Sequence, residues 1–135
     1  MSSLTWNDYQ RHKSLFSNIL GKILESGPEW FQGEAQKHLN ERIARGHLKE
    51  HATIEQYNHF ILFLLNQPKH TLTLHYDGMK YIVGNGKWIV IINESGIVET
   101  CFPPDNYVKY LSPSRGYVDL GKLREVLPDV EEIEK

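Results

Sequence analysis

The sequence predicts an α+β fold, with N-terminal helices packed on one face of a C-terminal antiparallel meander of about four strands. Three observations carry that expectation. Up to Pro68, apolar residues recur at helical spacing; beyond it they gather in short runs rich in β-branched and aromatic side chains. The period changes once, so helices precede a sheet rather than alternate with it. Asp77-Gly78, between two of the β-type runs, is a strong hairpin signal and makes the strands around it antiparallel.

The first element is LTWNDYQRHKSLFSNILGKILESG, an amphipathic helix beginning at Leu4 or Thr5, with Phe16, Leu20, Ile23 and Leu24 as its apolar stripe. Ser26-Gly27-Pro28 stops it. GEAQKHLNERIARG is the second, ending at Gly46, with Arg45 in the last turn where a cation suits the helix dipole. HLKEHA is a polar connector. Thr53, with Gln56 three residues on, forms a capping box that opens a third helix, IEQYNHFILFLLNQ, ending at Pro68. Residues 70–103 hold the strand runs HTLTLHYD, KYIVGN, KWIVIIN and IVETCF, with turns at Asp77-Gly78, Asn85-Gly86 and Glu94-Ser95-Gly96. Pro103-Pro104 closes the sheet. A loop containing SPSRG follows, then a short helix near DLGKLREVL, then an acidic tail over 128–135.

A chain of 135 residues suggests one domain with a core of its own. The longest apolar run, FILFLL at 60–65, is too short to cross a bilayer, and the N-terminus lacks the basic-then-apolar order of a signal peptide, so the expectation is a cytoplasmic protein with no membrane partner. Cys101 is the one cysteine, which excludes an intrachain disulfide. The net charge is −2, but the tail alone contributes −3, leaving residues 1–127 at +1. Any basic site is therefore local rather than spread over the molecule.

Two motifs bear on chemistry. HLKEH, residues 47–51, has the spacing of the inverted zinc-peptidase pattern. That spacing has meaning on a helix, where residues four apart share a face and reach one metal. Here Gly46 precedes it and Thr53 starts a new helix after it, so the motif falls in a connector, and two solvated histidines are the expectation. KHLNERIARG just before it is more informative. At about 100° per residue, His38, Arg42 and Arg45 fall in a narrow arc of one helix face, while Leu39 and Ile43 point toward a core. Arginines grip phosphate bidentately and histidine moves protons near neutral pH. The plainer alternative is a solvated face with Glu41 and Glu34 pairing the arginines.

HLNERIARG, followed by a helix and then by KYIVGNGKWIVIINESGIVETCFPP, resembles the barnase–EndoU–colicin–RelE-like group of ribonucleases. The resemblance covers roughly residues 36–103. His38, Arg42 and Gly46 match the helical part of that group's pattern, and Thr100 stands where the group has a threonine or serine on its closing hairpin. The resemblance implies a metal-independent, toxin-like endoribonuclease, needing no cofactor, acting on RNA and most readily tRNA. A neutralising antitoxin or immunity protein is implied as partner. It further implies His38 as general acid or base, Arg42 as phosphate holder, Thr100 as hydrogen-bond donor to a non-bridging oxygen, and Arg45, Lys80 and Lys87 as supporting cations. Arg115, at the tip of the PSRGY loop, is a further candidate substrate contact. His70 and His75 are both open as the second proton-transfer residue; alternation along HTLTLHYD puts them on opposite faces of a strand. The rival reading is a non-catalytic RNA- or protein-binding module on the same fold.

Overall fold

The structure, a computed structural model, describes residues 5–127. Its first helix, α1 (Trp6–Ser26), opens on a capping box in which Thr5 and Asp8 satisfy each other's backbone N–H groups. Gly27, at φ +90°, ends it ahead of Pro28. Helix α2 (Glu34–Ala44) and helix α3 (Ile54–Leu65) follow, and α3 carries the capping box expected at Thr53 and Gln56. A cap of this kind stabilises a helix by about 1 kcal/mol.

The sheet has six strands rather than four. Between α1 and α2 lies β1 (Glu29–Trp30); the others are β2 (Thr71–His75), β3 (Lys80–Gly84), β4 (Ile89–Asn93), β5 (Ile97–Phe102) and β6 (Tyr117–Lys122). The spatial order is β1-β5-β4-β3-β2-β6. Strands β2 to β5 form the expected antiparallel meander. At one edge the two residues of β1 run parallel to Ile97 and Val98 of β5, so the sheet is mixed. At the other, β6 pairs antiparallel with β2.

The second edge corrects the sequence reading of DLGKLREVL as a helix. Leu120, Leu123 and Val126 have helical spacing, but Asp119 and Leu120 belong to β6 and only Leu123–Glu125 make a turn of 3₁₀ helix. Thr71–His75 would otherwise present an unpaired edge, and pairing it outweighs a weak local helix preference. Gly121, at φ +102°, then turns the chain so that Leu123 N–H reaches the His70 carbonyl at 2.8 Å. A four-residue helix α4 (Tyr107–Tyr110), capped by Asn106, was also not foreseen. The acidic tail lies outside the described residues.

Alternation along the strands divides the molecule. Leu72, Leu74, Tyr81, Val83, Val90, Ile92, Val98, Cys101 and Leu120 meet Phe16, Leu20, Leu39, Tyr57, Ile61 and Leu64 of the helices in the main core. The helices thus cover one face, as expected of the α+β class. Ile82, Ile89, Ile91 and Tyr117 face the other way, beneath Phe102, Tyr107 and Tyr110.

One core group titrates. His12 on α1 is 1% exposed, and its Nδ1 pairs with the Tyr81 hydroxyl at 2.9 Å. Burial, helped by the Arg11 charge, holds its pKa below 6.5, against a smaller upward pull from Asp8. Between that lowered value and 6.5 the unfolded chain binds more protons, so stability rises with pH across the window and is lost as pH falls through it. Urea midpoints measured from pH 7.5 to 5 are expected to decline, and to decline less steeply in His12→Gln. An unchanged slope in that variant would show that His12 is not the group responsible.

Candidate functional site

The cleft of interest begins at the end of α2. Arg45 caps the helix, Gly46 adopts φ +75°, and two backbone bonds close the end: Gly46 N–H to the Ile43 carbonyl at 3.0 Å and His47 N–H to the Arg42 carbonyl at 2.8 Å. This is a Schellman motif, which requires a residue tolerant of positive φ where Gly46 stands. It folds residue 47 back over residue 42. The side chains then meet as well, with Arg42 Nη1 donating to His47 Nδ1 at 3.1 Å.

Arg42 does not lie on a solvated face. It is 5% exposed, its guanidinium sits 5.5 Å above the Phe102 ring, and its Nη2 is 3.6 Å from Glu41. Its Nε is buried and has no hydrogen-bond partner among the described residues. A buried guanidinium left partly unsatisfied is costly, because the desolvated charge demands compensation. Arg45, one residue short of a full turn further, is exposed and pairs with Glu41 at 3.2 Å.

Phe102 and Thr100 reach the cleft from β5. Thr100 pairs across the sheet with Ile91 and so shares the side away from the main core, while Cys101 between them points into it. Beyond Val98, β5 has no further pairing with β1, and α2 lies along it there. His38, one turn before Arg42, reaches over this edge, and its Nδ1 lies 3.1 Å from Thr100 Oγ1. Its Nε2 is 3.5 Å from Glu34, and its ring stacks on Trp30 at 5.8 Å. Trp30 is itself anchored by its indole N–H to Asn58 Oδ1 at 2.9 Å.

His38, Arg42, Arg45 and Thr100 therefore line one open cleft of about 260 Å³, with His47, Phe102 and the Pro103-Pro104-Asp105 segment as its other walls. Of the remaining cations expected here, Lys87 stands on the adjoining surface beside His47 and Asp105. Lys80 is elsewhere: it sits at the start of β3 and is bound to Glu99 at 2.7 Å. Arg115 lies over the Tyr110 ring at 4.8 Å, also outside the cleft. Neither open candidate for a second histidine is in it. His70 is buried and donates to the Leu64 carbonyl at 2.8 Å, and His75 packs on Tyr117 with its Nε2 against the Arg115 carbonyl.

His47 is a second histidine of the cleft, on a segment that the sequence presents as a solvated connector. An arginine has no acceptor, so in its bond to Arg42 the Nδ1 of His47 carries the lone pair and the ring proton is on Nε2. The ring is neutral in that arrangement. Burial and then the charges of Arg42 and Arg45 lower its pKa, consistently with this. The signal was present: a glycine ending a helix predicts that the residue after it returns over the last turn. HLKEH itself forms turns rather than a helix, with His47 in the cleft and His51 exposed, so the two do not share a helix face. Among the described residues no group of three His, Cys, Asp or Glu side chains is placed to hold a metal ion. No helix among them is long and apolar enough to cross a membrane. Comparisons with protein-family models, with curated proteins and with solved structures gave no match.

Proposed function

We propose that the chain is a metal-independent endoribonuclease, toxin-like and acting in the cytoplasm, that cleaves RNA, tRNA first among candidates, in the cleft between α2 and β5. One observation carries the reading: the Arg42 guanidinium and a histidine oriented by a threonine share one small open cleft. A guanidinium grips phosphate oxygens through paired N–H bonds, and among the described residues this one has only the Glu41 carboxylate near it, at 3.6 Å. The resemblance of residues 36–103 to the barnase–EndoU–colicin–RelE-like ribonucleases supports the same conclusion, and implies an antitoxin or immunity protein as partner.

In the proposed reaction the 2′-hydroxyl attacks the adjacent phosphorus. The O2′–P bond forms and the P–O5′ bond breaks, leaving a 2′,3′-cyclic phosphate and a 5′-hydroxyl. The attacking hydroxyl gives up a proton and the departing O5′ gains one; His38 carries one of these transfers through Nε2, beside which Glu34 lies at 3.5 Å, and solvent carries the other. Arg42 and Arg45 hold the non-bridging oxygens as charge builds on them. His47 positions Arg42, and Thr100 positions His38. Lys87 meets the neighbouring stretch of backbone.

A second reading is RNA binding without turnover. It is favoured by the engagement of both His38 ring nitrogens, with Thr100 and with Glu34, and by the near-complete burial of Arg42. The experiment that separates them is incubation of total tRNA with purified protein in EDTA. Discrete fragments ending in a cyclic phosphate are expected from the enzyme. Intact tRNA that nonetheless comigrates with the protein would transfer the conclusion to the binding module.

A further inference from the structure

The cleft does not end at His47. His47 and the Pro103–Asp105 segment also border a second depression, which continues past Gly86 and Lys87 to Tyr107. Gly86 and Tyr107 in turn border a third, which ends between Lys69 and Lys122. The three adjoin through these shared walls and make one row, from the α2–β5 edge, past the β3–β4 turn, to the β2–β6 edge.

Its charge is unlike that of the molecule. Five lysines and arginines border it against two carboxylates, Glu41 and Asp105, an excess of three in residues 1–127, whose own net charge is +1. Lys69, Lys87 and Lys122 are exposed, and none of them pairs with a carboxylate among the described residues. Cations spaced along a channel, rather than clustered at one point, suit a linear polyanion. The second and third depressions share an aromatic wall whose position depends on a glycine. A Cβ at Gly84 would stand 2.0 Å from the Tyr107 hydroxyl, so the ring takes its place there because residue 84 has no side chain. The Thr71 hydroxyl, 3.5 Å from the phenol oxygen, meets it on the other side. Next to it, Val108 is 80% exposed and offers apolar surface to a base.

We infer that this groove is the path of a single RNA strand extending beyond the cleavage site, with backbone phosphates met in turn by Lys87 and by the Lys69–Lys122 pair. The inference rests on the proposed ribonuclease reading and adds its substrate class: an unpaired stretch several nucleotides long, not a dinucleotide.

The test uses 2′-O-methylated oligouridine, which lacks the attacking hydroxyl, as a trinucleotide and as a twelve-nucleotide strand. Binding of each is measured between 50 and 200 mM salt for the parent chain and for Lys69→Ala/Lys122→Ala. The longer strand is expected to bind the parent more tightly than the shorter. In the variant that advantage shrinks, the slope of log affinity against log salt becomes shallower by about 1.4, and trinucleotide binding is unchanged. If the parent binds both lengths equally, or if the variant keeps the full slope, the groove is not the path, though the cleft reading stands. If neither length binds, the ribonuclease reading itself falls and takes this inference with it. If polyglutamate of matching charge displaces the longer strand as well as RNA does, the groove is a docking surface for an acidic protein and the assignment to RNA is overturned.

Discussion

Replacing His38 with alanine is expected to slow RNA cleavage by about 10²–10⁴-fold, the range for loss of a positioned acid or base. The fold has little stake in this ring. It lies at the sheet edge, partly exposed, and its contacts are to Thr100, Glu34 and the face of Trp30. Urea midpoints of the variant and the parent should therefore nearly coincide, and the rate loss can be read as chemistry. Thr100→Val tests the same pair from the other side. It keeps the β-branched shape and removes the hydroxyl that orients Nδ1, so a smaller loss of rate with little change in stability is expected. A His38→Ala protein that cleaves as fast as the parent would remove His38 from the reaction altogether.

The largest expected effect on stability is at Tyr57. This residue of α3 is 1% exposed, packs on Trp30 with ring centres 5.6 Å apart, and donates its hydroxyl to the Cys101 carbonyl. Burial raises the phenol's pKa well above its ordinary value, so it remains a donor. Tyr57→Ala is expected to cost about 3–5 kcal/mol, as for other buried aromatic truncations. Tyr57→Phe keeps the ring and should cost only about 1 kcal/mol, the net worth of one hydrogen bond. Chemical denaturation of the two variants separates packing from hydrogen bonding; equal losses would assign the whole effect to the hydroxyl. The site feels the difference too. Tyr57 braces both Trp30, on which His38 stacks, and Cys101, the neighbour of Thr100, so catalysis in Tyr57→Phe should survive far better than in Tyr57→Ala.

What could be read from the sequence were features set by local chemistry. The three helices, the capping box at Thr53 and Gln56, the glycine stops and the four-strand meander follow from periodicity and turn residues a few positions apart. So does the sharing of one helix face by His38, Arg42 and Arg45. What escaped was decided by contacts distant in sequence. Glu29 and Trp30 become a strand only because residues 97–98 pass beside them, and Asp119–Leu120 leave their helical pattern because β2 needs a partner. The burial of Arg42 depends on Phe102, sixty positions away, and so could not be seen from the helix alone. Lys80 and Arg115 read as isolated cations in the sequence; in the fold each has a neighbour, Glu99 on another strand or Tyr110, that holds it outside the cleft. His47 is legible in the sequence through the chain reversal that Gly46 imposes, which returns residue 47 over residue 42.

The 62 positions from His38 to Thr100 bear on when the molecule becomes competent as well as on where its cleft lies. Contacts between distant segments form late, after the entropy of closing the intervening loops has been met. A chain emerging from a ribosome would show α1, α2 and α3 early, with His38, Arg42 and Arg45 already in place along one helix. It would have no Phe102 to seat the buried guanidinium and no Thr100 to aim the imidazole until the fifth strand had left the tunnel and found its place beside Glu29 and Trp30. On the proposed reading, activity is coupled to completion of the sheet: a nascent or truncated chain ending before β5 would carry only the α2 half of the cleft.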